Sequence, residues 1–176
     1  SEDPTVKRMA PKLVGSITRA VHLCESTLAF GKAEEPGPTL TLVRLAELVE
    51  EVIDGERFAD PDNDISFAAD VPAGLSVRAD PEQLYRVLTN LIRNARQAIA
   101  ATGKPGEIHL SAQEAPDDWQ ITVTDTGPGL PPKAREHLFT AFQGGARKGG
   151  SGLGLVIASE LVRGHGGTLT LKSSGP

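Results

Sequence analysis

Cysteine is almost missing from this chain: Cys24 is the one thiol in 176 residues. A lone cysteine cannot close an internal disulfide, and it suits a reducing compartment. No apolar run is long enough to cross a bilayer, and no leader pattern opens the sequence. A cytoplasmic location without membrane contact is the expectation for these residues, although a longer parent protein could still be anchored. Positive charge is not in excess either. Lys and Arg number 18 against 23 Asp and Glu, a formal net charge of −5 with pI near 5.4, which argues against a nucleic-acid partner. Internal repeats and low-complexity tracts are absent. What is present, 39% hydrophobic and 23% charged residues, suffices for one folded core with room for an additional element.

Residues 5–33 read as one long helix. Val6, Met9, Leu13, Ile17, Ala20, Cys24 and Leu28 recur at steps of three and four. Such a stripe needs a partner: it lies on the rest of the domain, or it forms one limb of a helical hairpin or coiled coil. "KAEEPGPTL" interrupts it, because Pro36 and Pro38 cannot continue a helix. Beyond this boundary helices and strands alternate. An extended piece at Leu40–Val43 leads into an amphipathic helix over Leu45–Phe58. "DISFAADVP" and "LSVRAD" are expected to form a hairpin-like pair of strands. A long helix starts at "DPEQL", with Asp80 as N-cap and Pro81 in the first turn. "GEIHLSAQEAP" and "DDWQITVTDTG" follow as strands; in the second, Trp119, Ile121 and Val123 alternate with polar residues. A helix from about Gly152 to Gly164 and a strand "GTLTLKS" come last. Helices grouped between mostly hairpin-connected strands predict an α+β fold, a two-layer sandwich with helices on one face of a mixed sheet.

Three places carry chemistry. "TNLIRNARQAI" sets Asn90 and Asn94 four residues apart, hence on one side of the helix beside its apolar stripe. These amides either cap buried backbone or offer oxygens to a hard cation such as Mg²⁺. "DTGPGL" ends a strand with Asp125, followed by Gly127 and Gly129. It is an ordinary turn, or a carboxylate that accepts a hydrogen bond from the amino group of a flat ligand. "GGARKGGSGLGL" runs a glycine-dense stretch with Arg147 and Lys148 into a helix start. It is a flexible linker, or an anion site built from uncovered backbone amides and the helix dipole.

Taken in order, "NLIRNA", "DTGPGL", "LFTAF" and "GSGLGL", closing with "HGGTLTL", resemble the N, G1, F and G2 boxes of the ATP-binding domain of bacterial sensor histidine kinases. The resemblance covers most of the chain from roughly Leu40 onward. It implies the α/β sandwich known as the Bergerat ATP-binding fold, preceded here by the long N-terminal helix. It also implies site roles. Asp125 would meet the adenine amino group, with Gly127, Gly129 and Leu130 shaping the base pocket and Thr168 supporting it. Asn94, helped by Asn90, would hold Mg²⁺ against the phosphates of ATP. Gln97 stands near the phosphates where many relatives carry Lys. Phe139 and Phe142 would anchor a lid whose Arg147, Lys148 and Gly150 approach the nucleotide. Ser151, Gly152, Leu153 and Gly154 would meet the phosphates at the helix start.

By the same resemblance, residues 1–36 look like the second helix of a dimerisation and histidine-phosphotransfer hairpin with its linker. Residues 37–176 look like the ATP-binding domain, shortened at its C-terminal end. The helix carrying the phospho-acceptor is absent: His22, His109, His137 and His165 all lack the expected context of a following acidic residue. The implied function is therefore ATP-dependent protein-histidine kinase activity that this fragment alone would not complete. It contains no catalytic residue of its own and needs its own or a partner's histidine helix. A response-regulator receiver domain and homodimerisation of the full-length protein are the implied partnerships. ATP-hydrolysing relatives on this fold, such as gyrase and the MutL repair protein, resemble one another in a Glu at the position of Asn90. A carboxylate can take a proton from water, and an amide cannot. A true ATPase on the same fold and a non-enzymatic adaptor are the competing readings.

Overall fold

The computed structural model describes residues 36–59, 64–116, 118–130, 135, 136, 138, 139 and 153–173. The expected N-terminal helix lies outside them. Within them the order is β1 (Thr41–Arg44), α1 (Leu45–Ala59), β2 (Ile65–Asp70), β3 (Ser76–Ala79), α2 (Pro81–Ala100), β4 (Gly106–Glu114), β5 (Trp119–Asp125) and α3 (Gly154–Gly164). The mixed helix-and-sheet class read from the sequence is the class observed.

The strands form two sheets, β1–β3 and β2–β4–β5. This corrects one expectation, since β2 and β3 do not pair with each other. β3 runs antiparallel to β1, with Val77 opposite Val43, whereas β2 runs parallel to β4, with Ile65 opposite Gly106. The physical reason lies in burial. Val77 and Ala79 of β3 are buried, and Val43 supplies the apolar partner across the ladder. The turn after β2, closed by Leu75 N donating to Pro72 O at 2.9 Å, redirects the chain to that other sheet. Parallel β2–β4 pairing then uses β3 and α2 as its crossover.

The main core lies between the helices and the strands. Leu45, Val49 and Val52 of α1 pack with Leu88, Ile92 and Ile99 of α2 against Val77, Ile108 and Leu110. Trp119, Ile121 and Val123 of β5 close it as half-buried residues, as their alternation predicted. A second cluster joins α3 to α2 through Val87, Leu153, Ile157, Ala158 and Leu161. The stretch 167–173 is not a strand, contrary to its alternating pattern. Gly167 N donates to Val162 O at 3.0 Å, and Leu169 packs on the α2–α3 cluster. Leu171 stays 42% exposed. Only one residue of the expected apolar face has found a partner, so side-chain burial does not support a ladder.

The start of α2 is heavily tied. Asp80 caps it, Oδ1 accepting from Gln83 N at 3.0 Å, while Oδ2 accepts from Thr39 N at 2.9 Å. These two amides hold the Asp80 carboxyl below the usual carboxylate range, Gln83 most strongly. The Asp80 amide itself donates to His165 Nε2 at 3.0 Å, and His165 Nδ1 lies 2.8 Å from Leu161 O. A carbonyl can only accept, so Nδ1 donates to Leu161 while Nε2 accepts from the Asp80 amide. One histidine thus latches the end of α3 to the start of α2.

Candidate functional site

Helix α2 positions the site. Asn90, Asn94 and Ala98 are spaced i, i+4 and i+8, so they lie along one face over about 12 Å. The opposite face is apolar: Leu84, Leu88, Ile92, Ala95 and Ile99 are all buried. That burial fixes the rotation of the helix, and the amides lie off the apolar face, where α3 begins.

Each end of the polar face meets a glycine. At the first end, α3 begins against the amides: a Cβ on Gly154 would lie 3.2 Å from Asn90 Oδ1 and 3.6 Å from Asn94 Nδ2. The start of α3 is held there by Leu153, which is fully buried in the α2–α3 cluster. Backbone amides of a helix start, with their positive dipole end, therefore approach two side-chain amides. Asn94 Nδ2 is buried and has no hydrogen-bond partner among the described residues. A buried donor without a partner is costly, of order 1–3 kcal/mol, and a ligand acceptor would relieve it.

At the far end, β5 delivers Asp125 and the chain turns beneath it. Gly127 N donates to Asp125 Oδ1 at 2.8 Å. A Cβ on Gly127 would come within 2.6 Å of that oxygen and 3.3 Å of Ala98 Cβ. A side chain at 127 would therefore displace the Asp125 carboxylate and press on Ala98 of the helix. Gly129 adopts φ +71°, a left-handed conformation that glycine reaches without strain. Asp125 is exposed, and its Oδ2 makes no hydrogen bond among the described residues. Further along the same loop Leu130 is half-buried, and its carbonyl accepts from Arg135 Nε at 2.8 Å.

The structure thus brings Asn90, Asn94, Leu153 and Gly154 together, and sets Gly127, with Asp125 bonded to it, at the other end of the same helix face, with Gly129 and Leu130 following in the loop. Gln97, half-buried, lies one turn beyond Asn94. Thr168 is exposed and outside any strand. Phe142, Arg147, Lys148, Gly150, Ser151 and Gly152 lie outside the described residues. No group of three or more His, Cys, Asp or Glu side chains among the described residues could hold a metal ion. Any cation on this face would depend on amide oxygens and on oxygens that a ligand brings.

Sequence reasoning missed one charged group beside the site. Glu56 of α1 is 5% exposed, and its carboxylate faces two arginines of α2. Arg96 Nε lies 3.1 Å from Oε2, close enough to pair by charge though off the line of a good hydrogen bond. An Arg93 guanidinium nitrogen, Nη2, lies 3.6 Å from Oε1. The signal was present: Glu56 continues the spacing of Leu45, Leu48, Val49, Val52 and Ile53, an acid set in an apolar stripe.

Comparison with known proteins adds the following. Residues 79–176 match the family described as histidine kinase-, DNA gyrase B- and HSP90-like ATPase. The sensor-like histidine kinase SenX3 of Mycobacterium tuberculosis is 30% identical over 179 residues, covering 98% of this chain and 43% of the relative. The chain therefore spans about two fifths of that relative's length. Among solved structures, the mycobacterial sensor histidine kinase MprB matches with TM-score 0.60 and 28% identity, over 73% of this chain and 81% of the other. The histidine kinase ThkA in complex with its response regulator TrrA matches with TM-score 0.72 and 24% identity. That match covers 99% of this chain and 50% of the other, and it bears on the fold alone.

Proposed function

Because the chain belongs to the family of histidine kinase-, DNA gyrase B- and HSP90-like ATPases and is a sensor-histidine-kinase fragment within it, we propose that it binds Mg-ATP and presents the γ-phosphoryl group to a histidine of a dimerisation helix. Residues 37–176 would form the nucleotide-binding domain, and residues 1–36 the second helix of the dimerisation hairpin with its linker. The single observation that carries the reading is the junction of α2 and α3, where Gly154 meets Asn90 and a buried Asn94 amide lacks a partner among the described residues. That donor set fits an anion at a helix start, and the two amide oxygens suit a hard cation.

Asn90 and Asn94 would hold Mg²⁺, which when bound neutralises phosphate charge and favours transfer. Asp125 would accept from the adenine amino group, in a pocket floored by Gly127 and bounded by Leu130, with Gln97 and Thr168 completing the contacts. Phe142, Arg147, Lys148, Gly150, Ser151 and Gly152 would close the phosphate side. In the transfer an imidazole nitrogen attacks the γ-phosphorus, the bond to the bridging oxygen breaks, and ADP leaves. The chain's own contribution is positioning, since Asn90 offers no base to activate water. A response-regulator receiver domain would take the phosphoryl group next, and the full-length protein would act as a homodimer.

The test pairs two measurements on one sample: calorimetric titration with Mg-ATP, and phosphate release over hours. Binding without release is expected. Steady release would overturn the kinase reading in favour of an ATPase, and no binding would leave an adaptor with this fold.

A further inference from the structure

The Glu56–Arg93–Arg96 cluster sets one buried carboxylate against two guanidinium groups at the edge of the site. Its two arginines are not equivalent. At about 100° per residue, Arg96 lies about 120° around α2 from Asn90, towards α1, whereas Arg93 lies only about 60° away. The Arg96 side chain is 19% exposed and its Nε is 3.1 Å from the acid. The Arg93 side chain is 33% exposed and stands off at 3.6 Å, beyond hydrogen-bond reach. Arg93 also follows Asn90 by three residues and directly precedes Asn94. The buried acid is thus matched first by Arg96, and Arg93 stays a third exposed, about 60° around α2 from Asn90 and about 100° from Asn94. At Gln97, one turn further along α2, the helix carries no charge.

We propose that Arg93 is a phosphate-recognition residue of the nucleotide site, and that Glu56 positions it from α1. The inference rests on the Mg-ATP reading and adds a cation at the polyphosphate. Glu56 orients Arg93 through Nη2 at 3.6 Å, and the remaining guanidinium nitrogens are left to donate to phosphate oxygens, which the guanidinium fork suits. α1 lies outside the span of the family match, so this coupling would bring a residue beyond it into nucleotide recognition.

The competing possibility is a plain interhelical ion pair. The two separate when affinity is compared across Mg-ATP, Mg-ADP and adenosine, with thermal unfolding of each variant recorded alongside. R93Q is expected to weaken Mg-ATP by about tenfold and Mg-ADP by less, and to leave adenosine unchanged. R93K, which keeps charge without the fork, is expected between R93Q and the unaltered chain. E56Q is expected to reduce the Mg-ATP preference over adenosine by about threefold while Arg93 remains in place, because its anchor is gone. R96Q is expected to lower the melting temperature and leave that preference intact. An unchanged Mg-ATP to adenosine ratio in both R93Q and R93K overturns the proposal, whatever their melting temperatures. Failure of the unaltered chain to bind adenosine or Mg-ATP overturns the nucleotide reading itself, and this inference with it.

Discussion

The two ends of the polar face of α2 are finished to different degrees. At the Asp125 end the loop is closed: Gly127 donates to the carboxylate at 2.8 Å and sits against Ala98, with no space left over. At the Asn90 end Asn94 keeps a buried donor without an acceptor among the described residues. One end is organised before any ligand arrives. The other leaves a buried donor for which a ligand oxygen would be a fitting acceptor. The difference suits a nucleotide, whose flat base needs a fixed slot and whose phosphates bring their own acceptors and charge.

Filling the two glycines should expose this difference most sharply. Gly127→Ala would force a methyl to 2.6 Å from Asp125 Oδ1 and 3.3 Å from Ala98. Relief requires moving the carboxylate, and about 2–3 kcal/mol of adenosine affinity should be lost, a factor of roughly 30–150. Gly154→Ala meets Asn90 Oδ1 at 3.2 Å, where a side-chain amide can yield by a few tenths of an ångström. Its expected effect is below about tenfold and falls on Mg-ATP rather than adenosine. Calorimetry with both ligands decides. Equal losses for the two variants on both ligands would remove the distinction between the ends.

Side-chain deletions sharpen the same contrast. Asp125→Asn should cost about 1–3 kcal/mol of affinity for every adenine ligand, because a charge-assisted acceptor is lost. Unchanged ATP binding would sink the base-pocket assignment. Asn94→Ala should cost about 1–2 kcal/mol, confined to the Mg²⁺-dependent part of ATP binding. ADP binding without metal should survive nearly intact. Equal losses with and without Mg²⁺ would count against the metal role.

Much of this arrangement was legible because it is local. The Asn90/Asn94 face follows from helical period, and the Asp80 cap and Pro81 start follow from helix-end chemistry. The Gly127 and Gly129 turns follow from residue type. What failed depends on partners distant in sequence. β2 and β3 look like a hairpin because a turn separates them, yet Val77 finds Val43 and Ile65 finds Gly106. Alternation in residues 167–173 signals a strand only where both faces have something to cover, and Leu171 has little. Glu56 was overlooked although it interrupts an apolar stripe, because its reason lies on α2, 37 and 40 positions further on.

The smallest expected effect concerns what keeps α2 in register with α3, and so keeps both ends of its polar face aimed. Asp80 joins Thr39, Gln83 and His165 at that point. Its carboxyl is held below the usual range, chiefly by the Gln83 amide and then by that of Thr39. A lowered native value means that the contribution is fully present above the unfolded-state pKa, about 3.9. It is lost as pH falls through the lower native value. Asp80→Ala should lose about 1 kcal/mol near pH 7, the usual worth of an N-cap. Asp80→Asn retains a capping oxygen, so near pH 7 it should lose only a few tenths. Its denaturant midpoint should also decline less steeply than that of the unaltered chain as pH approaches about 3. Parallel acid limbs for the two proteins would show that the carboxylate charge contributes nothing there. The alignment of α2 with α3 would then depend on Leu153, Ile157 and Leu161 and on the latch from His165.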